Sequence, residues 1–384
     1  MLKIAILGAS KPHFPLVKKA KDMGLEVHCF ALGSDYYCAE YADFFYEISI
    51  TDKEQILKKC IEIGINGIVS NAIDIAVPTM AYVSSHMSLI GNTEDVAYIV
   101  RNKYKMRNAV SLSNCCLQPR YNLYNLDELD FKSLNCDVGI KFPIIVKPID
   151  SSCSNGVSKV HNIEELHNAI DRAKKASKEN CILVEEFIDG DEISVEAISY
   201  EGKHYVLAIT DKETTGAPYF VEISHHQPSK YSKIKNKIEN IVVSILDSIG
   251  IKYGASHTEL KITEDGSIYL IETASRGGGD CISYDLVQLS TGYDYVKAMI
   301  SVSLGDFNPP VTDEFENNYS GIFFLCKETE YLYDFIQKKE DKDWLVRCEI
   351  NSTNFDKVLK SQDRSGFFIY KSKNKINLNR YEKK

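Results

Sequence analysis

The sequence predicts an α/β protein that passes into α+β architecture, and three observations carry that prediction. Over residues 1–100, apolar runs of strand length alternate with helical periodicity, the order that builds a parallel sheet with right-handed crossovers. Residues 141–272 instead mix short strands, hairpin signals and two long amphipathic stretches. From Gly305 the character changes again: Asn308-Pro309-Pro310 breaks the chain, and short β-like runs follow at 320–326, 344–350 and 366–370. The last region reads as a small α+β cap with a frayed polar tail from Lys371. The expected divisions are 1–100, 101–185, 186–305 and 306–384.

A chain of 384 residues is long enough for two or three domains with full cores. With 44% hydrophobic and 26% charged residues, its composition is that of an ordinary soluble globular protein. A net charge of −9 argues against a surface that wraps nucleic acid. The 11 cysteines contain no C-x-x-C, which disfavours a zinc ribbon or thioredoxin motif. No apolar segment approaches the roughly 18 residues of a membrane span, and the apolar start breaks at Gly8, too early for a signal peptide. The expectation is a reduced, cytoplasmic protein with neither nucleic acid nor membrane among its partners.

In chain order, residues 3–7 read as a buried parallel strand ending at Gly8, 14–23 as a helix, 26–32 as the second strand and 67–70 as the third. Residues 52–63 read as a helix with Thr51 as N-cap and Gly64 as stop, and 75–84 as another. The loop Gly8-Ala9-Ser10-Lys11-Pro12-His13 sits where a dinucleotide fold holds its pyrophosphate, but G-x-G-x-x-G is missing. A scaffold that lends one wall to a neighbouring site fits better. Residues 95–117 read as one helix crowded with Arg101, Lys103, Lys105 and Arg107, most of them solvated, one available to a phosphate.

Residues 141–148 form a strand carrying Lys147, followed by the small polar loop Ser151-Ser152-Cys153-Ser154-Asn155-Gly156-Val157. Successive backbone N–H groups in such a loop can form an anion-binding nest, with the lysine as a point charge beside it. The plainer alternative is a hairpin turn with a surface lysine. After an amphipathic helix at 164–178, the strand 182–188 runs into Glu185 and Glu186 beside Phe187 and Ile188. Apolar side chains there would sandwich a flat heterocycle while backbone and carboxylates read its edge. Along 192–197, Glu192, Ser194 and Glu196 share one face. A strand at 204–211 and a mobile loop at 214–220 lead to His225, His226 and Gln227 on a strand within 221–229, where each histidine is more often structural than catalytic. Residues 234–249, 282–290 and 293–304 are helical.

Asp265-Gly266 is the strongest hairpin signal in the chain. A two-residue loop there pairs Glu259 with Glu272, puts Leu260, Ile262, Tyr269 and Ile271 on one face, and leaves Glu259, Lys261, Leu270 and Glu272 on the other. Opposed carboxylates repel, so the pair calls for a cation, and an oxygen-lined site suits Mg²⁺ bridging phosphates. A surface hairpin with one glutamate paired to Lys261 is the bland alternative. Arg276 and Gly277-Gly278-Gly279 follow at once.

The ordered set resembles the ATP-grasp superfamily of ligases: strand-lysine, small-residue loop, EEFI, EISVEA, HHQP, then two glutamate strands ending in R-G-G-G. It is most similar to the branch with L-amino acid (dipeptide) ligases, glycinamide ribonucleotide enzymes and biotin carboxylase. The resemblance covers nearly the whole chain and implies an N-terminal Rossmann-like pre-ATP-grasp domain. It also implies roles. Lys103 and Lys147 would contact ATP phosphates, and the loop with Ser152, Ser154, Gly156 and Val157 would close over them. Glu185, Glu186, Phe187 and Ile188 would hold adenine, Glu192 the ribose, and Leu270 would also contact ATP. Glu259 and Glu272 would bind Mg²⁺, with Mn²⁺ as an alternative ion, and Arg276 and His226 would serve the reacting groups.

One departure stands out: many members place an asparagine ligand two residues after the second metal glutamate, and this chain has Ala274. Water or a bidentate Glu272 must then replace it. The implied activity is ADP-forming ligation of a small-molecule carboxylate and an amine through an acyl phosphate, by an enzyme expected as a possible homodimer. The substrate walls would come from 214–220, 275–284 and the C-terminal cap. A purine-pathway or carbamoyl-phosphate-type enzyme is the alternative within the superfamily. A non-catalytic nucleotide-binding regulator is the alternative outside enzymes.

Overall fold

The computed structural model describes residues 1–128, 140–152, 154–217, 219–337 and 342–376. Cys153 of the small polar loop, Pro218 of the 214–220 loop and residues 377–384 of the tail lie outside them. The first sheet contains β1 (Lys3–Leu7), β2 (Glu26–Phe30), β3 (Phe44–Tyr46) and β4 (Gly67–Val69) in the order β3-β2-β1-β4, parallel throughout. It is crossed by α1 (Phe14–Asp22), α2 (Lys53–Ile63) and α3 (Val77–His86). Strand β3 has no counterpart in the expectation. The N-cap of α2 is Asp52, whose carboxylate accepts the Gln55 N–H at 3.1 Å, not Thr51.

Residues 95–117 are two helices, α4 (Glu94–Arg101) and α5 (Lys103–Ser113), not one. Asn102 separates them in an extended conformation and accepts the Lys105 N–H on its side chain at 3.0 Å. Asparagine is among the best N-caps because its short oxygen satisfies a first-turn donor. The break places Lys103 at the first turn of α5, where its own N–H donates to Ile149 O at 2.8 Å.

The second sheet joins β5 (Tyr121–Asn125), β6 (Ile144–Pro148), β7 (Ser158–Val160) and β8 (Cys181–Glu186) in the antiparallel order β5-β8-β6-β7. The apolar stripe Leu166, Ala169, Ile170 and Ala173 of α6 (Ile163–Ala176) packs on Ile144, Val146 and Val184.

The third sheet has eight antiparallel strands. They are β9 (Asp191–Tyr200), β10 (Lys203–Thr214), β11 (Glu222–Gln227), β12 (Gly254–Ile262), β13 (Ile268–Ala274), β14 (Tyr319–Leu325), β15 (Leu345–Ile350) and β16 (Gly366–Ser372), in the order β13-β12-β9-β10-β11-β14-β16-β15. The strands after residue 305 therefore extend the sheet built by β9 to β13. α7 (Lys235–Ile249) lies between β11 and β12; a π-turn at Ile282–Leu286, α8 (Val287–Thr291) and α9 (Tyr295–Leu304) run between the two groups of strands, and α10 (Tyr331–Gln337) follows β14. One face of β9, β12 and β13, with Ile193, Val195, Leu260, Ile262, Ile268 and Leu270, packs on α7 with α4 and α5. Its other face carries Glu192, Ser194, Glu196, His257 and Glu259, by the period-two alternation of strands.

The hairpin between β12 and β13 differs from the expectation in a way that matters. Its loop has three residues, with Gly266 in the left-handed region at φ +79° and its N–H on Thr263 O. Ile262 then pairs with Ile268 and Leu260 with Leu270. A bulge at Ile271 restores the pairing of Glu259 with Glu272. One extra residue reverses every side chain beyond it. The facing carboxylates are as expected, while the apolar set near the turn is Ile268 and Leu270 instead of Tyr269 and Ile271.

Candidate active site

The second and third sheets are linked through α5, whose cations pair with carboxylates on both. Lys103 Nζ donates to Glu272 Oε1 at 2.9 Å and to Ser151 O at 2.6 Å. Arg107, fully buried on α5, donates to both Glu185 oxygens at 3.0 and 3.3 Å and to Ile271 O at 2.8 Å. Lys147 Nζ lies 2.5 Å from Glu185 Oε2. Burial alone would raise the pKa of Glu185, but the Arg107 and Lys147 charges outweigh it and hold it at about 2. Burial lowers the pKa of Lys147 despite that partner.

At the centre, Lys212 Nζ of β10 donates to Glu259 Oε1 at 2.7 Å and sits 2.7 Å from Glu192 Oε1. Lys212 and His257 drive the Glu259 carboxyl well below its usual range against the effect of burial. His257 gives its Nδ1 to the buried carboxylate of Glu196, which also accepts the Gly278 N–H at 2.8 Å. Burial opposes the charge on this imidazole, yet Glu196 raises its pKa to about 9. A Cβ on Gly278 would stand 2.7 Å from Glu196 Oε1, so this close approach requires glycine.

The structure brings Lys103, Lys147, Glu185, Glu192, Glu259 and Glu272 into these ion pairs. Phe187 lies under Lys159 at 3.5 Å and Lys261 at 5.3 Å from its ring centre. Ile188 is buried, and Glu186 is half-exposed beside Arg120. In the small polar loop, Asn155 N–H donates to Ser152 O and Val157 N–H to Ser154 O; Gly156 has φ +82° and packs against Ala176 and Pro148. Arg276 makes a two-pronged pair with Asp74, 3.0 Å on each side, tying the large sheet to the first.

Two expected residues lie elsewhere. Leu270 is fully buried with Leu260 and α7 on the face opposite Glu259, because the Ile271 bulge falls between it and Glu272. His226 points away from the carboxylates. Its ring packs on Phe323 at 4.7 Å and bonds Tyr370 Oη and Ser224 Oγ at 3.0 Å each, and burial lowers its pKa to about 3. Its neighbour His225 takes the carboxylate face instead, 3.5 Å from Asp280, itself paired to Arg364 at 2.7 and 2.8 Å. Sequence reasoning missed Lys212, His257 and Glu196 as site residues. The period-two alternation of EISVEA and of the residues before Glu259 carried the signal for the last two.

Residues 140–285 match the ATP-grasp domain model. The chain aligns along 97% of its length with an L-amino acid ligase from Bacillus licheniformis, covering 94% of it at a TM-score of 0.77 and 22% identity. The chain has the ATP-grasp fold. A phosphoribosylglycinamide synthetase from Anaerococcus prevotii superposes on this chain over 99% of its length and 95% of that protein, with a TM-score of 0.75 and 21% identity. In sequence it is 28% identical over 249 residues to an alanine–anticapsin ligase of Bacillus subtilis strain 168, covering 59% of the chain and 51% of that ligase. The chain thus spans about half the length of the curated relatives it matches.

Among the described residues no three His, Cys, Asp or Glu side chains converge as a metal cage. Two carboxylates in register, each held by a lysine, fit Mg²⁺ if phosphate and water supply its other ligands. Ala274 adds none, and in register it faces His257. No helix among the described residues is long and apolar enough to cross a membrane.

Proposed function

We propose that this chain is an ATP-dependent carboxylate–amine ligase, forming an amide through an acyl phosphate and releasing ADP and phosphate. The observation that carries the reading is the pairing of Glu259 with Glu272 across β12 and β13, with Lys212 on Glu259 and Lys103 on Glu272. Bound Mg²⁺ would neutralise phosphate oxygens and act as a Lewis acid. Glu259 and Glu272 would hold it, releasing Lys212 and Lys103 to the triphosphate. Lys147 would meet the phosphates from β6, and the loop with Ser152, Ser154, Gly156 and Val157 would cover them and exclude water. Glu185, Glu186, Phe187 and Ile188 would line the adenine, and Glu192 the ribose. Arg276 and the backbone after it would face the acyl phosphate. The likeness to an alanine–anticapsin ligase supports amino acids as substrates; a cytoplasmic, homodimeric enzyme is part of the same proposal.

The test is the nucleotide product. With Mg²⁺, ATP and pairs of L-amino acids, the reading expects ADP and phosphate; AMP and pyrophosphate would rule out the acyl phosphate. Glu272→Gln should lower turnover about 100-fold, since it removes one of the two carboxylates that would hold the metal; native turnover in that variant would remove the metal assignment. Lys147→Ala should weaken ATP binding by calorimetry, and wild-type affinity there would contradict its role.

A further inference from the structure

The backbone is strained just past Arg276 and its three glycines. Asp280 has φ +49° and Cys281 φ +64°, both in the left-handed region. A Cβ there crowds the following carbonyl, so residues other than glycine visit this region singly, and aspartate more readily than cysteine. Two in succession are unusual. A π-turn, Ile282–Leu286, follows directly, and single π-turns are rare and gather at functional sites. Strain of this kind persists only where the surroundings hold it.

Both strained residues are held from the C-terminal strands. Arg364, just before β16, donates from Nη1 and Nη2 to the two Asp280 oxygens at 2.8 and 2.7 Å. Its Nε donates to Ser361 O at 2.8 Å, and its guanidinium lies on the Phe324 ring, 3.6 Å from the centre. The fork is therefore fixed in one orientation. His225 Nε2 stands 3.5 Å from the same carboxylate. Arg347 of β15 donates from Nη2 to Cys281 Sγ at 3.1 Å and to Asp285 of the π-turn at 3.0 Å. Upstream, Glu196 accepts the Gly278 N–H at 2.8 Å, Gly278 O accepts Ser283 Oγ at 2.6 Å, and Gly279 O accepts the Ile282 N–H at 2.9 Å. Asp74 fixes Arg276 itself. The stretch 276–281 is thus pinned at both ends, and the C-terminal strands hold its far end.

We propose, resting on the ligase reading, that Arg364 is a positioning residue for the reaction: through Asp280 it holds the strained turn, and the turn aims Arg276 and the backbone of 277–279 at the acyl phosphate. Arg364 acts through Asp280 and not on a reacting atom. Donors stabilise a developing oxyanion when they are already aimed at it, so a slack turn slows the chemical step. Nucleotide binding should be spared, because Lys103, Lys147 and Glu192 stand on α5, β6 and β9.

Steady-state kinetics on the full chain tests this, with MgATP and an amino-acid pair that wild type turns over. Arg364→Gln should lower kcat about 100-fold, the scale of a small misplacement at a reacting centre, with KM for ATP within about twofold. Arg364→Lys keeps the charge but has no fork, and should show the same split with about a tenfold loss. Cys281→Gly relieves the strain, since glycine takes φ +64° freely. Placed in the Arg364→Gln background, it should recover about tenfold in kcat. Native kcat in both Arg364 variants, a loss carried by KM for ATP instead of kcat, or no recovery from Cys281→Gly would overturn the proposal. Amide hydrogen exchange needs no turnover: Arg364→Lys should speed exchange over 277–283 selectively, and unchanged exchange there would also overturn it. Failure of the ligase reading shows separately, as no phosphate release by wild type from any amino-acid pair.

Discussion

Successive residues on a strand look in opposite directions, and His225 and His226 show what that does to chemistry. His225 shares the sheet face of Lys212 and pairs with Asp280; His226 is enclosed by Phe323 and Tyr370 on the reverse. His226→Gln should therefore leave the KM for ATP and kcat within about twofold of wild type while costing about 1–2 kcal/mol in denaturant stability through its two hydrogen bonds. A hundredfold loss of kcat would return it to the reaction. The carboxylates Glu192, Glu259 and Glu272 were legible because acidic residues at alternating positions beside a turn have few structural uses. Lys212 was not. Counting back from the Glu201-Gly202 turn places Asp211 opposite Glu192, but a bulge near Leu207 moves Lys212 there instead. Alternation puts Glu196 on the face of Glu192 and His257 on the face of Glu259, yet nothing local says that they touch.

At the scale of elements, the same device appears twice, and each time it aims a charged group. The bulge in β10 turns Lys212 toward the carboxylates, and the bulge in β13 turns Glu272 toward Glu259. Bulges leave no composition signal as strong as a turn's, which is why strands could be placed from the sequence while the register could not. The break between α4 and α5 is more readable in retrospect, since Asn102 precedes a lysine-rich first turn. It positions function directly: without it, Lys103 would continue along α4 instead of reaching Glu272 and Ser151 O. Asn102→Ala removes the cap and the bond from Asn102 Nδ2 to Glu179 at 3.0 Å. It should cost about 1 kcal/mol of stability and weaken nucleotide binding several-fold, whereas Asn102→Ser, which keeps a capping oxygen without adding charge beside Glu179, should retain most of the affinity. Equal affinities in a titration of both variants with MgADP would show that the break does not set Lys103.

Over the whole molecule, the three sheets are joined by ion pairs as well as by apolar cores, and this makes stability depend on pH in a definite way. Arg276–Asp74 ties the first sheet to the third, and Arg107 with Lys147 on Glu185 ties the second to α5. Glu185 is held at about 2, and Glu259, Asp74 and Asp280 are also lowered because their cationic partners outweigh burial. A depressed carboxylate contributes stability above its ordinary pKa and loses it as pH falls through the folded value. Burial lowers His13 to about 4 and His226 to about 3, so their contribution likewise holds above 6.5 and is lost on acidification. His257 has the opposite sign: raised to about 9, it stabilises fully below 6.5 and loses that contribution as pH rises through 9. The urea midpoint should therefore peak near neutrality. It should fall steeply below about pH 4.5, where several groups take up protons, and shallowly between 6.5 and 9, where one loses a proton. Glu185→Gln should flatten part of the acid limb, worth on the order of 3 kcal/mol for a group so buried. His257→Gln should abolish the alkaline slope and leave the acid limb steep. An alkaline slope that survives this substitution would mean that the imidazole is neutral in the folded chain, and that Glu196 does not hold it charged against the carboxylate of Glu259.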